Sequence, residues 1–198
     1  MSGTCASLCG VERALEEDDA AGLELAMGRI LLVHGVSMIV GGIPLLYLGD
    51  EIAMPNDYGY DAHPEKTGDT RWLHRAPFDW ERAEQRHDPE TVPGRVYHGL
   101  LRLIRLRTQN RAFRGTNMEL ADTGNDRVLG FVRSQGDSVV FALANFGERE
   151  QRLEARRLRQ IGLRKTAVDL YAGRTVTATR ELVLAPYQLM VLARGSEG

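Results

Sequence analysis

The stretch GGIPLLYLGDE, residues 41 to 51, contains an apolar run of strand length that ends on two carboxylates. Ile43–Leu48 has the continuous apolar character of a strand that is buried on both faces of a parallel sheet. In α/β barrels, functional groups lie just beyond the C-terminal ends of such strands. The stretch therefore raises the question of whether Asp50 and Glu51 lie at the rim of a functional site. Hydrogen bonding to the loop backbone is the role that we favour for these two carboxylates over contact with a substrate.

The composition is that of a globular protein with almost no net charge. The chain has 198 residues, of which 43% are apolar, and its formal net charge is −2. This length allows one or two hydrophobic cores. The balanced charge does not indicate a nucleic-acid partner or an anionic membrane, and we expect neither.

The two cysteines, Cys5 and Cys9, are four residues apart on a predicted helix. This spacing is typical of neither a zinc knuckle nor a disulfide framework, and the histidines also lack metal-ligand spacing. We therefore interpret the cysteines as small buried residues and predict no metal site. The rarity of cysteine fits a reducing compartment, and we expect a cytoplasmic protein.

Residues 30 to 48 form the one stretch that is apolar and long enough to suggest a membrane span. Two glycines and Pro44 divide it, which predicts a helix over residues 20–40 and a strand over Ile43–Leu48. The second half of the helix is apolar nearly all round, so it must be covered on most sides. A helix, a short turn and a buried strand together make half of a βαβ unit.

The segment after this strand is predicted to be a long loop that ends in a helix. Residues 51–92 are rich in Asp, Pro, Gly, His and aromatic residues, and loops of this length are usually functional or disordered. Several tyrosines, tryptophans and arginines argue against plain disorder. Pro93 then opens an amphipathic helix over residues 94–110.

From residue 116 onward, the apolar residues alternate with polar ones. Residues 127–148, RVLGFVRSQGDSVVFALANFGE, predict two strands joined by a turn at Ser134–Asp137. Shorter strands follow as far as Leu192, separated by residues that favour turns. We predict an antiparallel β-sandwich over residues 116–198.

Four motifs, in this order, resemble the C-terminal third of the α-amylase superfamily, glycoside hydrolase family 13. They are GGIPLLYLGDE, GDTRWLHRAPFDW at 68–80, LLRLIRLRTQNRAF at 100–113 and VLGFVRSQGDSVVFALANF at 128–146. The pattern SGT-ASL-G near the start and L-PYQ-M-L near the end is similar to the amylosucrase and sucrose hydrolase branch. The resemblance covers nearly the whole chain.

The resemblance implies a fold class of α/β plus all-β. Residues 1–115 would be the last αβα portion of a (β/α)8 barrel, with the eighth strand at 43–48, a long loop at 51–92 and the closing helix at 94–110. Residues 116–198 would be the C-terminal antiparallel β-sandwich. In this family the nucleophile, the acid and a third carboxylate lie on barrel strands four, five and seven. All three would precede Met1, so we predict no catalytic residue in this chain and no activity for the chain alone.

The implied parent enzyme cleaves sucrose with retention and transfers glucose to an α-glucan, without a cofactor. Sucrose and α-glucan would then be its partners, while the oligomeric state stays open. One alternative is a sucrose hydrolase or another α-glucosidase of the same superfamily. Another is a non-catalytic module that binds carbohydrate or a partner protein, which the missing carboxylates favour.

The predicted substrate-binding residues are Asp69, Arg71 and Trp72. The resemblance implies that Arg71 lies near the pocket floor and pairs with an acidic residue from elsewhere in the barrel. A guanidinium suits this position because its donors can hold a carboxylate and sugar hydroxyls together. A salt bridge that only pins the loop is the alternative, and the sequence leaves both open. Trp72 and Trp80 could each stack on a sugar ring or pack within the loop.

Overall fold

The computed structural model describes residues 2–163, 166–177, 179 and 181–194. Its α-helices are α1 (Cys5–Cys9), α2 (Val11–Glu16), α3 (Ala20–Val40), α4 (Trp80–Glu84), α5 (Val92–Gln109) and α6 (Ala155–Gln160). Its strands are β1 (Asn117–Leu120), β2 (Val128–Gln135), β3 (Ser138–Asn145), β4 (Gln151–Glu154), β5 (Thr166–Asp169), β6 (Arg174–Thr177), β7 (Glu181–Leu184) and β8 (Leu189–Arg194). The helices predicted over 20–40 and 94–110 and the hairpin within 127–148 are confirmed, with shifts of one or two residues at their ends.

The chain divides into two compact units. The first comprises Met1–Leu31 and Leu45–Leu101, and the second comprises Leu32–Pro44 and Arg102–Gly198. These bounds differ from the division at residue 115 that the sequence suggested. They fall inside the two long helices, because each helix contributes residues to both units.

The first unit is made of short helices and turns held together by side-chain hydrogen bonds. Asn56 illustrates this, because its Oδ1 accepts a hydrogen bond from the backbone N–H of Thr4 at 2.8 Å. Its own N–H donates to Ser7 Oγ at 3.0 Å and to Glu12 Oε1 at 2.8 Å. The early part of the loop predicted over 51–92 is therefore tied to α1 and α2 by hydrogen bonds of Asn56.

A small apolar cluster lies beneath the same loop. Its buried members are Ile52, Met54 and Ala83, with Ala76 and Phe78 packed against them. Short 3-10 turns at Asp50–Ile52, Tyr58–Ala62, Thr70–His74 and Gln85–His87 connect the parts of this segment. The loop is thus a series of single turns packed on a small apolar cluster. Because this cluster is small, hydrogen bonds are also needed to hold the loop in place.

Helix α3 is the one helix of the described part that is long and apolar enough to cross a membrane by length and composition. Its most apolar window is 44% buried inside the protein. Core helices of globular proteins meet the same criterion, so the length and composition of α3 alone do not distinguish a membrane span from a core helix. Within the second unit it lies close to the sheet, since a Cβ atom on Gly35 would be 2.5 Å from Leu189 Cδ2.

The expected strand at Ile43–Leu48 is not formed in this chain. The segment contains no strand pairing, and Ile43 is 97% and Leu45 is 84% exposed. A parallel strand needs a neighbour for its backbone N–H and C=O groups and layers that cover both of its faces. The described residues provide neither, so Ile43, Leu45 and Leu48 remain largely in solvent.

The second unit contains two antiparallel sheets. The larger has the strand order β1-β2-β3-β8-β5-β6, and the smaller pairs β4 with β7. The core that the two sheets share is apolar. Its buried members are Val128, Phe141, Leu143, Leu153, Leu158, Leu163, Ala167, Leu182, Leu184, Met190 and Leu192. Every strand pair of the described part is antiparallel, which matches the predicted sandwich.

Strand β3 departs from the alternation expected of a half-exposed strand. It is buried at six consecutive positions, from Val140 to Asn145. A strand with this pattern is covered on both faces. Alternating small side chains, Ala142 and Ala144, allow another layer to approach the face opposite the shared core.

The buried Arg133 on β2 holds the C-terminal end of α3. Its side chain is 1% exposed, and its Nη1 donates to the carbonyl oxygen of Val40 at 2.7 Å. Its Nη2 donates to the carbonyl oxygen of Gly115. The last carbonyls of a helix have no partner inside the helix, and a cation there also favours the negative end of the helix dipole.

A second arginine, Arg107 on α5, completes this arrangement. It donates to the carbonyl oxygen of Met38 and, through Nη2 at 2.7 Å, to that of Gly42. Burial lowers the pKa of Arg133, and the charge of Arg107 adds to the effect. The two side chains therefore satisfy carbonyls before and after the glycine turn at the cost of placing two cations near each other.

Replacing Arg133 with methionine should lower the free energy of unfolding by about 1–3 kcal/mol. Methionine keeps an unbranched stem but has no guanidinium, so it leaves the carbonyls of Val40 and Gly115 without their donor. Relief from burying a charge offsets part of this loss. Urea denaturation followed by circular dichroism measures the change. The exposed Arg159 provides a matched control, and a loss as large in Arg159→Met would contradict the prediction.

Replacing Leu45 with lysine should reduce self-association of the chain. Exposed apolar surface favours association by about 25 cal/mol per Å² removed from water, and an unpaired apolar edge is a site for it. Sedimentation velocity at increasing protein concentration measures the effect. Leu15→Lys, at a position on α2 that is 49% exposed, serves as the control. Equal association of both variants and the parent chain would show that the segment does not drive it.

Candidate functional site

The carboxylates at the end of the apolar stretch lie in a tight turn. Gly49 has a φ of 98°, which begins a 3-10 turn over Asp50–Ile52, and Ala53 ends the turn with a φ of 50°. Glu51 Oε2 accepts a hydrogen bond from the N–H of Gly49 at 2.8 Å. The positive φ explains the glycine, and the carboxylate of Glu51 is used to close the turn rather than to face a substrate.

Arg82 fixes this turn from the side, and sequence reasoning missed it. Its Nε donates to the carbonyl oxygen of Ile52 and its Nη2 to that of Ala53, both at 2.9 Å. Asp79 caps α4 by accepting a hydrogen bond from the N–H of Arg82 at 2.9 Å. Burial lowers the pKa of Arg82. The sequence shows the cap as an Asp before a helix. It does not show the carbonyl partners of Arg82, which lie about thirty residues away in the sequence.

A small enclosed cavity of about 40 Å³ lies beside the turn. Tyr47 and His74 form part of its lining, and their rings meet edge to face with centroids 5.8 Å apart. The Nδ1 atom of His74 is buried, and none of the described residues hydrogen-bonds to it. This volume suits a single water molecule. It is far below the several hundred Å³ of a small-molecule pocket, so these residues can form only part of a sugar site.

The predicted substrate-binding residues are brought together in one turn. Asp69 caps the 3-10 turn Thr70–His74, and its Oδ1 accepts a hydrogen bond from the N–H of Arg71 at 3.0 Å. The same carboxylate accepts from Arg71 Nε at 2.8 Å and from Nη2, through Oδ2, also at 2.8 Å. The pair is bidentate, and the Arg71 side chain is 66% exposed.

This ion pair shifts the protonation of both groups. Hydrogen bonds from the Arg71 side chain and backbone lower the pKa of Asp69 to about 2, from an ordinary value of 3.8. The carboxylate in turn raises the pKa of Arg71. Within this chain the acidic partner of Arg71 is a residue of its own turn. Pairing with an acidic residue from elsewhere in a barrel stays a prediction. Whether the guanidinium also contacts substrate stays a prediction.

The two tryptophans of the loop differ in their surroundings. Trp72 is half-buried, with Lys66 Nζ 4.9 Å and Arg75 Cζ 5.7 Å from its ring centroid. Trp80 is 75% exposed and meets Phe78 edge to face, with ring centroids 4.8 Å apart. Cations already lie over the ring of Trp72, so Trp80 presents the more open aromatic surface. Substrate binding by Trp72 stays a prediction.

The chain matches no protein-family model. Its sequence is 29% identical over 164 residues to glucosylglycerate phosphorylase from Escherichia coli (strain K12). The alignment covers 82% of this chain and 27% of that relative, so the chain spans about a quarter of the relative's length.

Solved structures of carbohydrate-active enzymes share the fold. AmyP in complex with maltotriose has a TM-score of 0.67 and 17% identity, and the match covers 87% of this chain and 38% of AmyP. MutB in complex with its substrate sucrose has a TM-score of 0.62 and 18% identity, covering 84% of this chain and 38% of MutB. The α-amylase from Geobacillus thermoleovorans, complexed with acarbose, has a TM-score of 0.62 and 20% identity, covering 94% of this chain and 36% of the amylase.

The predicted fold class is confirmed. The neighbours are enzymes of the α-amylase family, and the matches place this chain on their C-terminal part, where a β domain follows the end of the barrel. At these identities the likeness establishes the fold alone. The amylosucrase branch, the substrate and the roles of Asp69, Arg71 and Trp72 are matters for proposal.

Replacing Arg71 with glutamine should raise the pKa of Asp69 from about 2 toward 3.8. Because the pKa of the folded state is depressed, the stabilisation from this carboxylate is present above about pH 4 and is lost as the pH falls toward 2. An NMR titration of the Asp69 carboxyl carbon in the folded chain measures the shift.

Arg75→Gln is the matched control, since Arg75 makes the smallest of the contributions that lower the pKa of Asp69. We expect it to move the midpoint much less than Arg71→Gln does. An Asp69 midpoint near 2 that persists in Arg71→Gln would show that the ion pair is not formed in solution.

Proposed function

We propose that this chain is the C-terminal part of a retaining enzyme that cleaves an α-glucoside such as sucrose and transfers the glucosyl unit to an α-glucan. The observation that carries the proposal is the exposed apolar segment Ile43–Leu48, followed at once by a rigid turn. In a complete barrel this segment would be a strand with neighbours on both edges. The turn would then lie at the rim where active sites of this fold are built.

The chain's own residues would then supply the wall of the pocket rather than its chemistry. Retaining cleavage needs a carboxylate nucleophile and a carboxylic acid about 5–5.5 Å apart on either side of the glycosidic bond. The carboxylates of this rim are otherwise engaged, since Glu51 closes a turn and Asp69 holds Arg71. In the proposal, Arg71 donates hydrogen bonds to a sugar hydroxyl from a position that Asp69 fixes.

A phosphorylase is the second candidate, and one observation favours it. The phosphorylase relative is 29% identical to this chain, whereas the amylase-family structures described above are 17–20% identical. In that case phosphate, rather than a glucan, would accept the glucosyl unit and the product would be a glucose 1-phosphate. Both candidates would cleave an α-glucoside, and they differ in the acceptor and, by the name of the relative, in the glucoside that is cleaved.

The 198-residue chain alone should release neither glucose nor fructose from sucrose. In the proposal, the two carboxylates that retention requires belong to other parts of the barrel. Purified chain is incubated with sucrose, with and without phosphate, and products are separated by anion-exchange chromatography. Sugar release above that of a mock-purified sample would contradict the proposal that the catalytic groups lie elsewhere.

The same assay, run with sucrose and again with glucosylglycerate, on the product of the longest reading frame that contains this sequence tests the proposed activity. Glucan together with fructose supports transfer to a glucan, glucose 1-phosphate supports the phosphorylase, and glucose with fructose supports a hydrolase. No product from sucrose or from glucosylglycerate would favour a non-catalytic module instead.

In that longer protein, Arg71→Ala should lower kcat/KM for the active substrate by about one to three orders of magnitude. This corresponds to about 1.4–4 kcal/mol, the range expected for loss of a charge-assisted contact. The exposed Arg114, replaced by alanine, is the control. Kinetics unchanged by Arg71→Ala would assign Arg71 to the alternative role, a salt bridge that only pins the loop.

A further inference from the structure

We propose that Cys5 and Cys9 form a two-thiolate site for a thiophilic divalent cation of the zinc type. Their Sγ atoms are 3.9 Å apart on the same face of α1. Both residues are partly exposed and both are thiols. The interpretation of these cysteines as small buried residues is therefore wrong, and the prediction of no metal site is the one this proposal would overturn.

The separation of the two sulfurs matches the requirement of a tetrahedral ion. With zinc–sulfur bonds of about 2.3 Å at a tetrahedral angle, two thiolates on one ion lie about 3.8 Å apart. The observed 3.9 Å needs almost no adjustment. Residues four apart on a helix face the same way, so the helix itself sets this distance.

The same geometry opposes a disulfide. Positions four apart on a helix keep their Cβ atoms about 5–6 Å from each other, whereas a disulfide needs about 3.8 Å. Closing the bond would require α1 to unwind. Thr4 caps this helix by accepting a hydrogen bond from the N–H of Ser7 at 3.2 Å, and Gly10, with a φ of 96°, ends it. Helix α1, which keeps the two Cβ atoms apart, is therefore capped at both ends.

Asp50 is the third candidate ligand. One of its carboxylate oxygens lies within 4.8 Å of Cys5 Sγ. Hydrogen bonds between Asn56 and both Thr4 and Ser7 tie α1 to the segment that follows Asp50. Two sulfurs and one oxygen would leave the fourth tetrahedral position open to water.

The site is open to solvent on the Cys9 side. A cleft of about 320 Å³ is lined in part by Cys9 and Arg29. Two thiolates and the Asp50 carboxylate would carry three negative charges against the single positive charge of Arg29.

Titration with Co²⁺ under reducing, oxygen-free conditions tests the site in the 198-residue chain. Co²⁺ replaces zinc in tetrahedral thiolate sites and gives a sulfur-to-metal charge-transfer band in the near ultraviolet, which Zn²⁺ should abolish by competition. Cys5→Ala and Cys9→Ala should each weaken Co²⁺ binding at least tenfold, because changes even behind the ligands cost about 10–100-fold. Asp50→Asn should weaken it less, and the exposed Glu16→Gln should not change it.

Alanine suits the interior of a helix, so circular dichroism should show that the cysteine variants keep the parent's helix content. This separates loss of a ligand from loss of the fold. A folded parent chain without the band, or a band that survives when both cysteines are alanine, would overturn the proposal. A band that either single variant retains at full strength would overturn the two-thiolate arrangement. These outcomes do not depend on sugar turnover.

Discussion

The C-terminal end of α3 has carbonyl groups without partners inside the helix, and satisfying them organises much of the second unit. Arg107 and Arg133 supply the donors, one from a helix and one from a strand. A guanidinium is planar and donates through fixed directions, so each arginine sets an angle as well as a distance. The turn at Gly41–Gly42 therefore leaves the helix along one path.

In the candidate site of the first unit, arginines likewise bind backbone groups or residues that are close in the sequence. Arg82 holds two carbonyls of the turn after Gly49, and Arg71 pairs with a carboxylate two residues away. Because both members of the Asp69–Arg71 ion pair belong to one turn, the shape of this turn does not depend on a partner from a distant part of the protein. Asp69 thereby fixes the position of the Arg71 guanidinium while leaving it exposed.

The helices and the hairpin, which depend on residues that are neighbours in the sequence, were predicted correctly. Helix α3, the helix after Pro93 and the hairpin turning at Gly136 all follow from local apolar periodicity and turn residues, and the structure contains them. The strand at Ile43–Leu48 was predicted from its composition alone. A strand exists only when another strand accepts its hydrogen bonds, which composition cannot supply.

Side-chain contacts between residues far apart in the sequence could not be predicted, for a related reason. Nothing in the pattern of β2 distinguishes Arg133, which is buried, from an arginine on a solvated face. The pairing of Cys5 with Cys9 was visible as a spacing, but only coordinates show that the sulfurs meet. The resemblance to the amylase superfamily added the order of elements, which local patterns could not give.

The bond between Arg133 and the carbonyl of Val40 joins residues 93 positions apart. During synthesis, the end of α3 emerges from the ribosome long before the strand that carries its donor. Such non-local contacts are made late, because the loop between them must first be closed. The carbonyl of Val40 consequently lacks its arginine donor until β2 has been translated, and the end of α3 is completed only when the β domain forms.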